Sequence, residues 1–267
     1  MLEREHDLRV FDLDAALAPD AGERRPTPAE RLERECQQAG VVSAVVAPPP
    51  GDPTTYLRAN NAVARLAVSR PFLAVARLAG PRDPSETAAA AVRNLAASRA
   101  DHHPGPEAIE SIAYDDRFHA VSLAPARDGL PDAATLDALA ETGLPALVRA
   151  GRGFPPAAAV ETFAARGVPT VLLSFGGYPL DRDLTANAVD CLDDHDDLWL
   201  GTAHVPYRDL VERAVREHPD RVVFGSGAPD PHPNVGVMAL LTLDVPENLL
   251  RRVVTDNPGR VFDALDA

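Results

Sequence analysis

The stretch Arg221–Pro229, which reads RVVFGSGAP, decides the fold predicted for this chain. Its apolar run at 222–224 is typical of a fully buried strand, and the small residues that follow allow the backbone to turn sharply. In parallel α/β folds, ligands bind beyond the carboxyl ends of such strands. The stretch therefore predicts a parallel sheet and a binding site that follows this strand.

Seven further apolar segments precede this one, and helical patterns separate them. The segments lie at 8–14, 41–47, 72–78, 120–123, 146–149, 170–174 and 198–202. Together with 222–225 they give the strand count of a (β/α)8 barrel, at a spacing of roughly 30 residues. The segment 101–117 carries charge and little periodicity, and we interpret it as a surface excursion. We expect an α/β fold, a (β/α)8 TIM barrel, built as one domain over residues 1–267.

The charge of the chain excludes several kinds of partner. The formal net charge is -14, and all 26 basic residues are arginine. Nucleic acids and anionic membranes need clustered positive charge, so we expect neither as a partner. An acidic surface with arginine in place of lysine favours a cytosolic protein from a salt-accumulating halophile, with high-GC codon bias as the alternative explanation. The oligomeric state stays open, and a homo-oligomer fits the composition as well as a monomer.

Cysteine content and hydropathy point to the cytoplasm. Cys36 and Cys191 are too few for a disulfide framework and have no metal-ligand spacing. The sequence contains neither a signal-peptide pattern at its start nor an apolar run of about 18 residues. We therefore expect a cytoplasmic protein without a membrane span.

Four stretches of this chain resemble the amidohydrolase superfamily, in particular its branch of metal-dependent hydrolases and decarboxylases. The resemblance covers nearly the whole chain, and its strongest stretches are LPALVRAG at 144–151, VLLSFGG at 171–177, RVVFGSGAP at 221–229 and DNPGRVF at 256–262. It implies a barrel with a divalent metal, usually zinc, at the mouth. In that family the metal is held by an Asp-x-His-x-His phrase after strand one, a histidine after each of strands five and six, and an aspartate after strand eight.

This chain departs from the family at each of those ligand positions. The two histidine positions of strand one hold Asp14 and Ala16, preceded by the retained Asp12. The other positions hold Arg149, Ser174 and Gly227. One carboxylate without imidazole or thiolate beside it is a poor zinc site. We therefore expect no cofactor, neither zinc nor another divalent metal.

Arg149 is the most informative of these residues, because a permanently charged guanidinium at a barrel mouth needs a carboxylate partner. In one interpretation it pairs with Asp12 or Asp14 and replaces the charge and volume of a metal. In the other it binds the carboxylate or phosphate of a small anionic ligand, with Ser174 and Thr202 as further ligand-binding candidates.

Histidines offer a second possible chemistry. His204 follows strand seven, and His232 lies with Asp230 on the loop after strand eight, the side where barrel enzymes place their catalytic groups. A histidine there could act as a general base with Asp230 to orient it. The alternative is that the segment 230–233 is only a stiff, solvated turn.

Two functional hypotheses follow. In the first, the protein has lost metal-dependent hydrolysis, is a pseudoenzyme, and binds a small anion or a protein partner. In the second, it is a hydrolase or a decarboxylase-like lyase with a rebuilt or displaced site, for which Asp12, Asp14, His204, Asp230 and His232 are the catalytic candidates. The barrel fold alone does not choose between them.

Overall fold

The computed structural model describes residues 8–18, 27–85 and 87–265, and the described strands form one eight-stranded parallel sheet. The strand order follows the chain, so each strand pairs with the next one. The seam between the last and first strands is joined by backbone hydrogen bonds, including Leu13 N to Phe224 O at 2.8 Å and Gly227 N to Asp14 O at 2.8 Å. The predicted (β/α)8 barrel is confirmed. The strands are β1 Val10–Ala16, β2 Val41–Ala47, β3 Phe72–Leu78, β4 Phe118–Leu123, β5 Ala146–Val148, β6 Thr170–Leu172, β7 Leu198–Gly201 and β8 Val222–Val223.

Helices alternate with these strands and cover the outside of the sheet. The helices are α1 Ala29–Gln38, α2 Tyr56–Ala67, α3 Ala88–Ala96, α4 Pro106–Ala113, α5 Pro125–Asp128, α6 Ala133–Thr142, α7 Pro156–Thr162, α8 Arg182–Asp190, α9 Arg208–Glu217, α10 Pro233–Leu241, α11 Glu247–Arg251 and α12 Asn257–Val261. The surface excursion predicted at 101–117 is wrong in part, because α4 forms inside it. Ile109 and Ile112 explain the difference: Ile109 is fully buried, Ile112 packs against the same core cluster, and these contacts hold α4 in place despite the charged residues around it. No helix of the described residues is long and apolar enough to cross a membrane.

Alternation along the strands divides the apolar residues into two layers. Phe11, Val75, Leu147 and Val223 belong to the cluster inside the barrel. Their sequence neighbours, such as Val10 and Val148, pack against the helices. At the amino end of the strands, Val261, Phe262 and Leu265 join the inner cluster and close the barrel from below. The open end is therefore the carboxyl end of the strands.

Candidate functional site

A cavity of about 760 Å³ opens at the carboxyl end of the barrel. Its deep wall consists of apolar side chains from the top of the inner cluster: Leu13, Val45, Leu147 and Leu173. Five arginines and two aspartates also line it: Arg31, Arg77, Arg127, Arg149, Arg152, Asp14 and Asp230. In a chain of net charge -14, this is a local excess of positive side chains. The mouth therefore differs in charge from the rest of the protein.

Arg149 and Asp14 lie side by side in the wall of this cavity. The Nη2 atom of Arg149 lies 3.6 Å from Oδ2 of Asp14, which is an ion pair but too long for a hydrogen bond. Oδ2 of Asp14 is buried and has no hydrogen-bond partner. The guanidinium of Arg149 lies 5.1 Å from the centre of the Tyr178 ring, a cation–π contact. The predicted ion pair between Arg149 and Asp14 is present. The two side chains form no hydrogen bond with each other, so both can still bond to a third group.

A second arginine, Arg77 at the end of β3, was not predicted from the sequence. It is 5% exposed, lines the cavity, and donates from Nε to the carbonyl oxygen of Pro48 at 2.8 Å. Its Nη1 atom is buried without a hydrogen-bond partner. Burial lowers the pKa of Arg77 to about 10, so it remains charged at neutral pH. The signal in the sequence was a lone charge inside the apolar run FLAVARL, in phase with the inward-facing Leu73 and Val75.

The arginines at the rim of the cavity are engaged elsewhere. Arg31 donates to Glu35 at 2.7 Å, and Arg152 donates to Asp181 at 3.1 Å. Arg127 donates to the carbonyl oxygen of Gly51 at 2.9 Å. Arg77 and Arg149 are the least exposed of the five cavity arginines, with side chains 5% and 20% exposed, and neither is hydrogen-bonded to a carboxylate.

His204 and Gly227 lie together on the β7–β8 side of the mouth. Gly227 has a left-handed φ of +73°, and a Cβ atom added there would lie 2.2 Å from Nε2 of His204. His204 itself has a φ of 59°, which is uncommon for a residue with a side chain. Both residues line the cavity, as does Asp230. The imidazole thus occupies the space beside Gly227 into which a side chain at position 227 would extend.

Asp12 does not reach the cavity, although it lies only two residues from Asp14. β1 has a register shift between Asp12 and Ala15, so the two carboxylates leave the strand in different directions. Asp12 is fully buried and accepts hydrogen bonds from Ser226 N at 2.8 Å, from Ser226 Oγ, and from Asp14 N at 3.1 Å. Burial raises the pKa of Asp12 to about 7, although the hydrogen bonds from Ser226 oppose the shift. Asp12 joins β1 to the loop after β8.

Three other predicted residues also lie outside the cavity lining. His232 accepts a hydrogen bond from Asn234 N at the start of α10, and its Nε2 lies 3.3 Å from Oε1 of Gln38. Thr202 bonds with the backbone of Gly225, which links β7 to β8. Ser174 is buried in a left-handed conformation with a φ of 55°. The structure thus brings together Asp14, Arg149, His204 and Asp230 but not His232, Thr202 or Ser174.

Comparison with known proteins gives structural neighbours only: neither a family model nor a curated sequence matches this chain. An uncharacterized TIM-barrel protein from Bordetella bronchiseptica is 15% identical, with a TM-score of 0.70, and the match covers 97% of this chain and 100% of that one. A 2,6-dihydroxybenzoate decarboxylase from Rhizobium is 14% identical, with a TM-score of 0.66 and coverage of 97% and 100%. A 5-carboxyvanillate decarboxylase from Novosphingobium aromaticivorans, complexed with manganese and 4-hydroxy-3-methoxy-5-nitrobenzoic acid, is 13% identical, with a TM-score of 0.65 and coverage of 96% of each chain. These structures share the barrel fold with this chain, which is the fold that the resemblance implied.

The expectation that this chain has no divalent-metal cofactor is contradicted by the comparison, because three of the similar decarboxylase structures contain manganese. The departures at strands one, five, six and eight were not sufficient grounds for that expectation. In this chain, the described residues contain no group of three or more His, Cys, Asp or Glu side chains arranged to hold a metal ion. Asp14 and Ala16 line the cavity beside Arg149, and this set of side chains does not form a metal-binding donor set.

Proposed function

We propose that the barrel mouth binds a small organic anion and that Arg149 is a principal contact. The observation that carries this proposal is the position of Arg149 at the end of β5, in the wall of the 760 Å³ cavity, with an ion pair at 3.6 Å instead of hydrogen bonds. Carboxylates match the donor fork of arginine and form charge-assisted hydrogen bonds with it. Asp14 lies too far from Arg149 to accept a hydrogen bond, and an anion that enters the cavity supplies the missing acceptors.

The surroundings of Arg149 favour this function over a purely structural ion pair. The side chain is 20% exposed and that of Asp14 is 13% exposed, so both are accessible from the cavity. Tyr178 supports the guanidinium from one side, and the apolar wall below offers contact area for the body of a ligand. Ligand sites commonly combine an apolar cavity with a few polar groups of this kind.

Thermal unfolding with benzoate as the probe tests this function. We expect benzoate to raise the melting temperature of the wild-type protein, and Arg149→Met to abolish the rise. Arg213→Met serves as a matched control, because Arg213 lies on the outer helix α9 and pairs with Asp190 and Glu217. An equal rise in wild type and Arg149→Met would contradict the proposal.

A decarboxylase-like lyase is the second candidate function. The neighbours in the comparison include decarboxylases, and His204 and Asp230 line the same cavity as Arg149. In such a reaction, Arg149 orients an aromatic acid, and His204 donates a proton to the ring carbon that bears the carboxylate. The bond between that carbon and the carboxylate then breaks, its electron pair returns to the ring, and CO2 leaves.

Release of CO2 from 2,6-dihydroxybenzoate tests this second function, with and without added manganese because neighbouring structures contain that metal. We expect His204→Asn to lower the rate at least 100-fold, the scale of a lost general acid, because asparagine tolerates the left-handed backbone but does not donate a proton at neutral pH. His195→Asn, on the distant α8–β7 connection, is the control. If wild type releases no CO2 in either condition, the lyase function fails and anion binding remains the proposal.

A further inference from the structure

We propose that Arg77 forms a second anion subsite in the same cavity, so that the ligand carries two acid groups. The inference rests on the proposed binding function and adds the class of ligand. Arg77 is 5% exposed, yet it lines the cavity, and Nη1 has no hydrogen-bond partner. A buried arginine with unused donors is costly unless an acceptor reaches it.

The guanidinium of Arg77 is held in place by contacts that leave its terminal nitrogens without hydrogen bonds. Nε donates to Pro48 O at 2.8 Å, and the guanidinium carbon lies 5.9 Å from the centre of the Tyr56 ring. The backbone on either side is fixed by Asn60, whose Oδ1 accepts from Arg77 N at 2.8 Å and whose Nδ2 donates to Arg77 O at 3.0 Å. Such preorganisation lowers the entropic cost of binding an anion.

The counter-ion of Arg77 does not satisfy these donors. Asp128 Oδ2 lies 3.8 Å from Nη1, beyond hydrogen-bond distance. The same oxygen accepts a hydrogen bond from the Tyr56 hydroxyl at 2.9 Å, and Arg127 lies 3.6 Å from the other carboxylate oxygen. Asp128 is thus shared among three side chains. It balances charge near Arg77 without completing its hydrogen bonds.

The two arginines lie on strands that are not neighbours and have different partners, which favours two acid groups over one. β4 lies between β3 and β5, and strands two apart in a sheet are about 10 Å apart. Arg77 is directed toward Pro48 and Asp128, whereas Arg149 contacts Asp14 and Tyr178 on the other side. The positive charge of Arg149 adds to the effect of burial in lowering the pKa of Arg77. An anion at each guanidinium relieves this repulsion, and Ser122 of β4 lines the cavity between them.

Calorimetric titration with benzoate and isophthalate, which differ by one carboxylate, tests the inference. We expect isophthalate to bind wild type at least tenfold more tightly than benzoate. Arg77→Met should reduce the affinity for isophthalate to that for benzoate and change benzoate binding less than twofold. Arg213→Met is the control for loss of one positive charge, because Arg213 lies on the outer helix α9 and pairs with Asp190 and Glu217, and it should change neither affinity more than twofold.

Because Arg77 is buried, Arg77→Lys provides a second variant that keeps the charge but loses the donor fork. If Arg77→Met does not fold, a loss of at least threefold in isophthalate affinity for Arg77→Lys supports the subsite. Equal affinities for the two probes in wild type, or no effect of either Arg77 variant, overturn the inference while anion binding at Arg149 stands. If neither probe binds, or if Arg149→Met changes nothing, the proposed function itself fails and the second subsite with it.

Discussion

The β8–β1 seam and the β3–β5 side of the barrel mouth treat buried charge in opposite ways. At the seam, Asp12 is fully buried and accepts hydrogen bonds from both the backbone and the hydroxyl of Ser226. On the β3–β5 side, Arg77 and Arg149 lie 3.8 and 3.6 Å from their carboxylate partners, without hydrogen bonds to them. One region uses a polar residue to build the barrel, and the other keeps donors available.

The difference distinguishes structural from binding groups better than residue type does. A buried polar group whose hydrogen bonds are complete has nothing left for a ligand, while one with open donors gains from an incoming acceptor. By this criterion Asp12, retained at the family's position, is structural in this chain. Arg77, which has no counterpart in the family motifs considered above, belongs to the candidate site.

The largest expected effect comes from breaking the seam. Asp12→Ala leaves two buried donors of Ser226 without an acceptor, and we expect the free energy of unfolding to fall by about 3 kcal/mol. Asp12→Asn keeps an acceptor of the same shape and should cost about 1 kcal/mol. Urea unfolding at pH 6 measures both. Equal losses for the two variants would contradict the role assigned to the hydrogen bonds.

The seam should also respond to pH. Burial raises the pKa of Asp12 from 3.8 to about 7, so between these values the folded protein holds a proton that the unfolded chain releases. This contribution to the free energy of unfolding is fully present below about pH 4 and is lost as the pH rises to about 7. The loss between pH 5 and pH 7 is on the order of 2 kcal/mol. Urea unfolding of wild type and Asp12→Asn across this range isolates it. The decline attributed to Asp12 should be missing from the Asn variant.

A smaller effect on the free energy of unfolding is expected from the long ion pair between Arg149 and Asp14. Arg149→Met and Asp14→Leu should each lower stability modestly, and their coupling in a double-mutant cycle should be about 1 kcal/mol, since the partners are partly exposed and share no hydrogen bond. Urea unfolding of the four proteins gives the coupling. A value of about 4 kcal/mol would instead identify a tightly buried structural pair and weaken the proposal of ligand binding.

Salt should act least on the seam. Molar potassium chloride screens the repulsion of a chain with net charge -14, so we expect the melting temperature of wild type to rise relative to dilute buffer. The penalty of Asp12→Ala should stay within about 0.5 kcal/mol of its low-salt value, because buried groups are little screened. A melting temperature that does not rise with salt would count against the predicted halophilic origin.

Much of the fold was predictable because the strands carry their own signal. β2 and β3 match the segments predicted at 41–47 and 72–78, where aliphatic residues fill both faces of a buried parallel strand. Ends were less accurate: β8 is limited to Val222–Val223, and after it the backbone N of Phe224 donates to Val253 O, while its carbonyl oxygen still accepts from Leu13 N of β1. α4 was missed because two isoleucines, Ile109 and Ile112, are a weak helical pattern among charged neighbours.

The site was predictable only in part. Arg149, Asp14, His204 and Asp230 were predicted correctly to lie at the mouth, because each lies at or just after the carboxyl end of a strand. The two-residue spacing of Asp12 and Asp14 suggested a shared direction, but the register shift in β1 separates them, and a shift of this kind leaves no mark in the sequence. The capping role of His232 depends on the path of a loop, which strand and helix patterns do not determine.

The contact between His204 and position 227 constrains the order in which this mouth can change. A Cβ at 227 would lie 2.2 Å from the imidazole, and the left-handed backbone there is itself costly for a side chain. An aspartate introduced at 227 alone is therefore disfavoured twice, whereas the same substitution meets an open space once residue 204 has been made smaller. The two positions are coupled, so a smaller residue at 204 lowers the steric cost of placing a carboxylate after the eighth strand, while the cost of the left-handed backbone at 227 remains.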